Sequence, residues 1–227
     1  MIKSMNFDVG YMFSLIPEIM EYIPITLLMA VLAMVLAIVI GLVLTAMRNS
    51  RLKVLNYLAA VYISFFRAIP MLVQLFLIYY GLPQLFPVFT KMDAITAAVI
   101  GFGFKQAAFA AEIFRAAFVS VDKGQMEACL AGGMTKIQAY RRVIIPQAFR
   151  NALPATGNIF ITLIKETSLA FTLGVVELFA EAKMQASNTL RFFEAYLAVA
   201  LVYWALVIVY SFIQSKLEKL LDKPYRT

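Results

Sequence analysis

The amino-acid sequence predicts an all-α integral membrane protein with five spanning helices, folded as one membrane domain. Three observations lead there. Hydrophobic residues fill 63% of the 227 positions and mean hydropathy is +0.83, whereas an ordinary soluble domain is about 45–50% apolar. The apolar residues gather into five segments, each near the roughly 20 residues that a helix needs to cross the hydrocarbon core. Lysine and arginine concentrate in every second connection between those segments, as they do in loops kept in the cytoplasm.

The N-terminal stretch carries Asp8, Glu18 and Glu21. A cleaved signal would be apolar there, so the first span is expected to be retained. That span is placed at 22–47, with Pro24 near its start, where proline is tolerated. The second is placed at 54–80 and closed by the breakers of YGLPQLFP. The stretch from Tyr80 to Phe89 is read as a re-entrant or interfacial loop at the outer face. The third span covers 94–118, and a long polar interruption follows at 123–149. The fourth, 153–175, is less apolar, and the fifth, 195–213, leads into a charged tail. Five crossings put the two ends on opposite sides. Arg48, Arg51, Lys53, Arg115, Lys123, Lys136, Arg141, Arg142, Arg150, Lys216, Lys219, Lys223 and Arg226 fall on one side, and Lys3, Lys91, Lys183 and Arg191 on the other. This bias places the N-terminus outside and the C-terminus in the cytoplasm. No internal repeat or low-complexity tract is visible. A secondary transporter often shows two related halves; five spans do not divide evenly, which favours symmetry gained by dimerisation.

Composition also excludes function classes. The net charge is +7, with no histidine and one cysteine, Cys129. Without histidine there is no Ser-His or Cys-His dyad and few zinc sites. A lone cysteine allows neither an internal disulfide nor a multi-cysteine metal site. The basic balance does not point to nucleic acid, because no basic, aromatic-interleaved tract stands apart from the apolar runs.

The interruption at 123–149 cannot cross a bilayer, yet it is patterned. A short helix is expected from Glu127 to Met134, with a break near Gly132 and Gly133, whose backbones reach conformations that other residues resist. A second helix is expected from Thr135, its N-cap, to about Ile145, with Pro146 past its end. Ile137, Tyr140, Val143 or Ile144, and Phe149 form an apolar stripe at helical spacing. Two readings fit a helix-turn-helix of this kind in the cytoplasm. It is an amphipathic connector lying among headgroups, or it is a surface for docking another protein.

At this point the chain resembles a known family. EACLAGGMTKIQAYRRVIIP resembles the EAA loop of ABC-importer permeases: Glu127, Ala128 and Cys129, three residues, Gly133, nine residues, then Val143, Ile144, Ile145 and Pro146. FFRAIPMLVQLFLIYYGLP, AAEIFRAAFVSVDKGQ and LIKETSLAFTLGVVEL resemble further signatures of the polar-amino-acid uptake permeases, the histidine, glutamine, arginine and cystine type. The likeness covers roughly residues 52–182. Three departures stand out. Cys129 replaces an alanine, Arg67-Ala68-Ile69-Pro70 stands for the usual Arg-Gly-Thr-Pro, and Asp122 replaces a proline. The resemblance implies the type I importer permease fold. It also implies that Glu127, Ala128, Gly132, Gly133, Arg141 and Pro146 belong to the loop that couples to a separate ATPase subunit. That subunit would bind ATP and magnesium, since this chain has no G-x-x-x-x-G-K-[ST] phosphate loop. The other partners implied are a second permease subunit and an extracytoplasmic solute-binding protein, in a bacterial plasma membrane.

Charged residues within the predicted spans are candidate functional groups, because each costs several kcal/mol (about 2.5–3.5 at a helix centre on insertion scales) unless it is paired or faces a cavity. Lys165 and Glu166 lie midway along the fourth span. Asn158, Thr162, Lys165, Leu169 and Thr172 recur at helical steps, and Ser168 lies beside them. Such a stripe faces protein or water. One reading makes it a substrate path, with Lys165 meeting a carboxylate and Glu166 an ammonium; the other makes it a structural ion pair. Lys105 and Glu112 are seven apart on one face of the third span, and Glu112 and Arg115 can pair at i, i+3. The latter two match the family and read as structural or gating residues. Lys105 does not match it, and either marks specificity or snorkels. Arg67 and Gln74 are expected on one face of the second span, with a kink at Pro70; they line the path or hold helices together. The function expected is the membrane-spanning subunit of an ATP-driven bacterial importer of a polar amino acid, itself without enzymatic activity. The alternative is a channel or ion-coupled carrier for a small charged solute.

Overall fold

The computed structural model describes residues 7–222. Lys3, Lys223 and Arg226, used above for orientation, lie outside the described residues. Among the described residues, all regular structure is helical. The chain divides into two compact units. The first takes the described residues up to Ala33, Pro70–Phe102 and Ile161–Tyr210; the second takes Met34–Ile69, Gly103–Phe160 and the described residues from Ser211.

Among the described residues three helices are long and apolar enough to cross a membrane: α2 (Ile23–Arg48), α6 (Ala94–Val119) and α11 (Phe192–Asp222). Two bent pairs bring the possible total to five: α3 (Lys53–Ala68) with the arm Met71–Leu85, and the path Lys136–Leu173 with α10 (Leu178–Thr189). The sequence reading treated the first pair as one spanning segment, 54–80, kinked at Pro70. The structure instead turns it by 112°. The cause is local. Ile69 is extended, with φ −86° and ψ 138°, because the residue before a proline is forced out of the α region, and Pro70 has no N–H to continue the ladder. At 1.5 Å per residue the arms are about 24 Å and about 22 Å long, each short of the roughly 30 Å hydrocarbon core. The second arm comprises α4 (Met71–Phe76), a π-turn (Leu77–Gly81) and α5 (Leu82–Leu85). A 3₁₀ turn, Pro87–Lys91, then leads to α6. Leu85, Phe86 and Val88 stand exposed here. Asp93 opens α6 by accepting from the Thr96 N–H at 2.9 Å and from its hydroxyl at 2.7 Å, bonds that hold its carboxyl below the usual range.

A second correction concerns Pro146. The sequence reading ended a helix before it and began the fourth span at 153. In the structure, α8 (Lys136–Ala139), a π-turn (Tyr140–Ile144) and α9 (Ile145–Glu166) run on as one path. The wide turn sends the Ile145 N–H to the Tyr140 carbonyl, five residues back. The hydrogen-bond register has therefore already shifted where Pro146 would interrupt it.

The first unit is built on α1 (Val9–Met20), which the hydropathy pattern had not separated from its surroundings. Met12, Leu15 and Ile19 pack against Leu178 and Ala182 of α10 and against Ala195, Ala198 and Val202 of α11. Its N-cap, Asp8, accepts from the Tyr11 N–H at 2.9 Å and from Arg191 at 3.1 Å, and the Asp8 N–H donates to Glu194 at 3.1 Å. The Tyr11 N–H, helped by Arg191, holds the Asp8 carboxyl low.

The second unit depends on small residues. A Cβ on Gly41 would lie 2.9 Å from the Ala110 Cβ and 3.3 Å from the Ala107 carbonyl, so α2 and α6 meet almost backbone to backbone. Interfaces in membranes favour this, because dispersion and close packing replace the hydrophobic drive. The Thr45 hydroxyl, 2.8 Å from the Gly41 carbonyl and 3.2 Å from that of Ala111, joins the same two helices.

Candidate functional site

The α7–α8 turn is the first site. Helix α7 (Lys123–Ala131) is capped by Asp122, whose carboxylate accepts from the Gly124 N–H at 2.7 Å. The residue that departs from the family's proline thus has its own way of starting the helix. At the other end Gly133 has φ +83°. The Met134 N–H reaches the Cys129 carbonyl and the Gly133 N–H reaches that of Leu130, both at 3.0 Å. This is a Schellman close, in which the left-handed position is natural for glycine. Thr135 then starts α8 with a complete capping box. The Thr135 N–H donates to Gln138 Oε1 at 2.9 Å, and the Gln138 N–H to Thr135 Oγ1 at 3.3 Å.

Both ends of the turn are therefore fixed, and its outer face is bare. Glu127, Ala128, Arg141 and Arg142 are exposed, while Cys129 and Ala139 are buried beneath. Ile137 is 79% exposed, and Tyr140 and Phe149 are also exposed. The predicted apolar stripe exists, except that Ile144 turns inward to the cluster of Ala117, Val121, Ala148 and Ala152.

The second site is a cleft of about 400 Å³ lined by Lys165, Ser168, Phe179, Tyr196, Val199, Ala200 and Tyr203. Lys165 stands near the end of α9, where the chain tightens into a 3₁₀ turn, Thr167–Leu173. In that geometry residues i and i+3 eclipse, which explains why Ser168, and not Leu169, stands beside Lys165. The Ser168 hydroxyl donates to the Lys165 carbonyl at 2.8 Å. The Lys165 side chain is exposed.

Glu177 anchors the cleft from beneath. It is fully buried. It caps α10 by accepting from the Phe179 N–H at 3.0 Å and the Ala180 N–H at 2.8 Å, and it accepts from the Tyr203 hydroxyl at 2.8 Å. Buried charge is tolerable when its lone pairs are used in this way. Gly174, at φ +89°, turns the chain into this cap. The sequence reading included Glu177 only within a family signature, and it missed Phe179, Tyr196 and Tyr203, which looked like ordinary apolar material. An isolated acid immediately before an apolar helix start was the available signal.

The other predicted residues are scattered. Thr162 and Glu166 are half-buried on α9 but do not line the cleft. Gln74 is buried in α4. Arg67 and Gln74 were expected on one helical face; the break at Ile69–Pro70 instead puts them in different arms and different units. Arg67 sets its guanidinium 5.3 Å from the centroid of the Phe109 ring. Arg115 and Glu112 pair as expected, at 2.8 Å. Lys105 lies half-buried on α6, in the second unit. Among the described residues no cluster of three or more acids or Cys residues could hold a metal ion.

Comparison with known proteins decides what such a chain is. Residues 33–223 match the family described as the binding-protein-dependent transport system inner membrane component. This chain belongs to that family. It is 61% identical over 220 residues to the probable amino-acid permease protein YxeN of Bacillus subtilis (strain 168), covering 97% of this chain and 98% of that protein. It is 51% identical to the probable amino-acid ABC transporter permease protein PatM of Vibrio harveyi, over 97% of this chain and 99% of that one. The fold is that of type I importer permeases. A crystal structure of an amino acid ABC transporter with histidines superposes with a TM-score of 0.86 at 37% identity, covering 95% of this chain and 99% of that one. Membership sets aside the channel or ion-coupled carrier as the reading of the intramembrane charges.

The Glu177 geometry carries a prediction. Tyr203→Phe removes one of the three donors while keeping the ring, leaving a buried carboxylate short of a partner at about 1–3 kcal/mol. Thermal unfolding of the purified transporter should fall by several degrees, and an unchanged midpoint would show that the tyrosine hydroxyl does not support the cap.

Proposed function

We propose that this chain is the membrane-spanning subunit of an ATP-driven importer of an amino acid. Its α7–α8 turn would dock on an ATPase subunit that binds ATP and magnesium, and the Lys165 cleft would receive the solute. A second permease subunit completes the pathway, and an extracytoplasmic solute-binding protein delivers to it. The protein would sit in the plasma membrane of a bacterium with its N-terminus outside and its C-terminus in the cytoplasm.

The observation that carries this reading is the rigid, bare α7–α8 turn. A Schellman close and a capping box hold its backbone, yet Ile137 projects 79% exposed beside Arg141. A connector lying in headgroups needs no such preorganisation. A surface transmitting motion between subunits does, because preorganised contacts lose less on binding. The amino-acid substrate is supported by the named relatives and by a cleft whose lining has one charge, Lys165, suited to a carboxylate.

Two experiments test the reading. In proteoliposomes containing the whole complex, Gly133→Val should assemble with the ATPase but lose most ATP-driven uptake, because φ +83° is strained for a branched residue. An assembled variant that transports at the normal rate would remove the coupling role. For orientation, cysteines introduced at positions 85 and 136 should react with a membrane-impermeant reagent from opposite faces of the cell membrane. Labelling of both from the same face would overturn the proposed topology.

A further inference from the structure

We infer that Gln214 is a positioning residue for transport. Its amide steadies a soft turn of α9, from Pro154 to Gly157, and so keeps ATP use by the partner tied to movement of the solute. The inference rests on the α7–α8 turn docking an ATPase subunit, as proposed above.

Three residues weaken α9 within one turn. Pro154 lies inside the helix; it has no N–H to donate and its ring crowds the carbonyl four residues back. The Thr156 hydroxyl donates to the Ala152 carbonyl at 2.8 Å, a back-bond that often bends helices. Gly157 has the poorest helix preference after proline. The helical path nevertheless continues through all three, from Lys136 to Leu173. Stability alone gives no reason to gather such residues in one place. They stand on the stretch of α9 that joins the α7–α8 turn to Lys165.

Helix α11 supplies what holds this turn. A Cβ on Gly157 would overlap the Gln214 amide, so the glycine is the seat of that side chain. From there Gln214 Nε2 donates to the Pro154 carbonyl at 3.1 Å and to Glu218 Oε1 at 2.8 Å. The amide nitrogen has two hydrogens, and these bonds use both. An ionised Glu218 only accepts, so it fixes which end of the amide faces α9. Gly157 is buried, Gln214 and Glu218 are half-buried, and all of these residues belong to the second unit. The contact is polar and is made by the tip of a flexible side chain. It can be broken and remade without unpacking a core, which suits a joint that α9 uses in each transport cycle.

The test uses the complete permease–ATPase complex with its solute-binding protein, in proteoliposomes, and a radiolabelled mixture of the protein amino acids. Amino acid taken up per ATP hydrolysed is measured beside the thermal unfolding midpoint. In Gly157→Ala the new methyl displaces the Gln214 amide, while alanine itself favours the helix. The midpoint should equal or exceed that of the wild type, and uptake per ATP should fall about fivefold or more. Gln214→Leu, which keeps the bulk and removes the donor, should give the same fall; Gln214→Met replaces it if it does not co-purify with the ATPase. The double variant should fall no further than either single one, because both remove the same contact. A wild-type ratio in either single variant, a further fall in the double variant, or a lowered midpoint in Gly157→Ala would each overturn the inference, the last by showing that the contact serves the fold alone. Uptake by the wild type separates these outcomes from failure of the transport reading. With ATP-driven uptake present, only the role of Gln214 is lost; with none, the transport reading falls as well.

Discussion

Inside a bilayer a helix can be broken only where protein replaces the backbone hydrogen bonds that are lost, because no water is present to do so. This chain breaks its helices repeatedly: at Ile69–Pro70, in the π-turns Leu77–Gly81 and Tyr140–Ile144, and in the 3₁₀ turn Thr167–Leu173. The most demanding break is the last. After Gly174 the chain must start again at Leu178, and Glu177 makes this possible by capping α10 with its own carboxylate. Tyr203 of α11 supplies the third donor. Without that arrangement the 3₁₀ turn has no defined exit and the cleft beside it has no wall.

The same constraint separates the polar groups into two kinds. Glu177, Thr45 and the Glu112–Arg115 pair have their bonding capacity directed at fixed partners within the protein. They belong to the fold. Lys165 is different: it lines a cleft with a serine and a stacked aromatic pair. The helical path Lys136–Leu173 is continuous in the chain from the α7–α8 turn to Lys165.

Much of this was legible in the sequence because the underlying signals are local. Apolar length placed α2, α6 and α11. The spacing from Glu127 to Pro146 marked out the α7–α8 turn, and Thr135 and the paired glycines marked its break. Lys165 and Ser168 were singled out and do line the cleft. What the sequence hid is tertiary. A proline in an apolar run reads as a kink, but how far the chain turns depends on the neighbours of both arms, so 112° was not foreseeable at Pro70. A helical period carried across Glu166 included Leu169, which does not line the cleft, because the chain tightens there to a 3₁₀ turn. Phe179, Tyr196 and Tyr203 are chemically indistinguishable from core aromatics until α10 and α11 are brought together.

The central claim is that Lys165 serves the solute and not the fold. Thermal unfolding of the purified, solute-free complex carrying Lys165→Met tests it most directly, because methionine keeps the length of the side chain and removes only the charge. The account predicts an unfolding midpoint equal to or above that of the wild type, since a side chain kept to meet the solute does not hold the helices together. A midpoint lowered by several degrees would contradict it, by showing that the lysine is part of what holds the helices together.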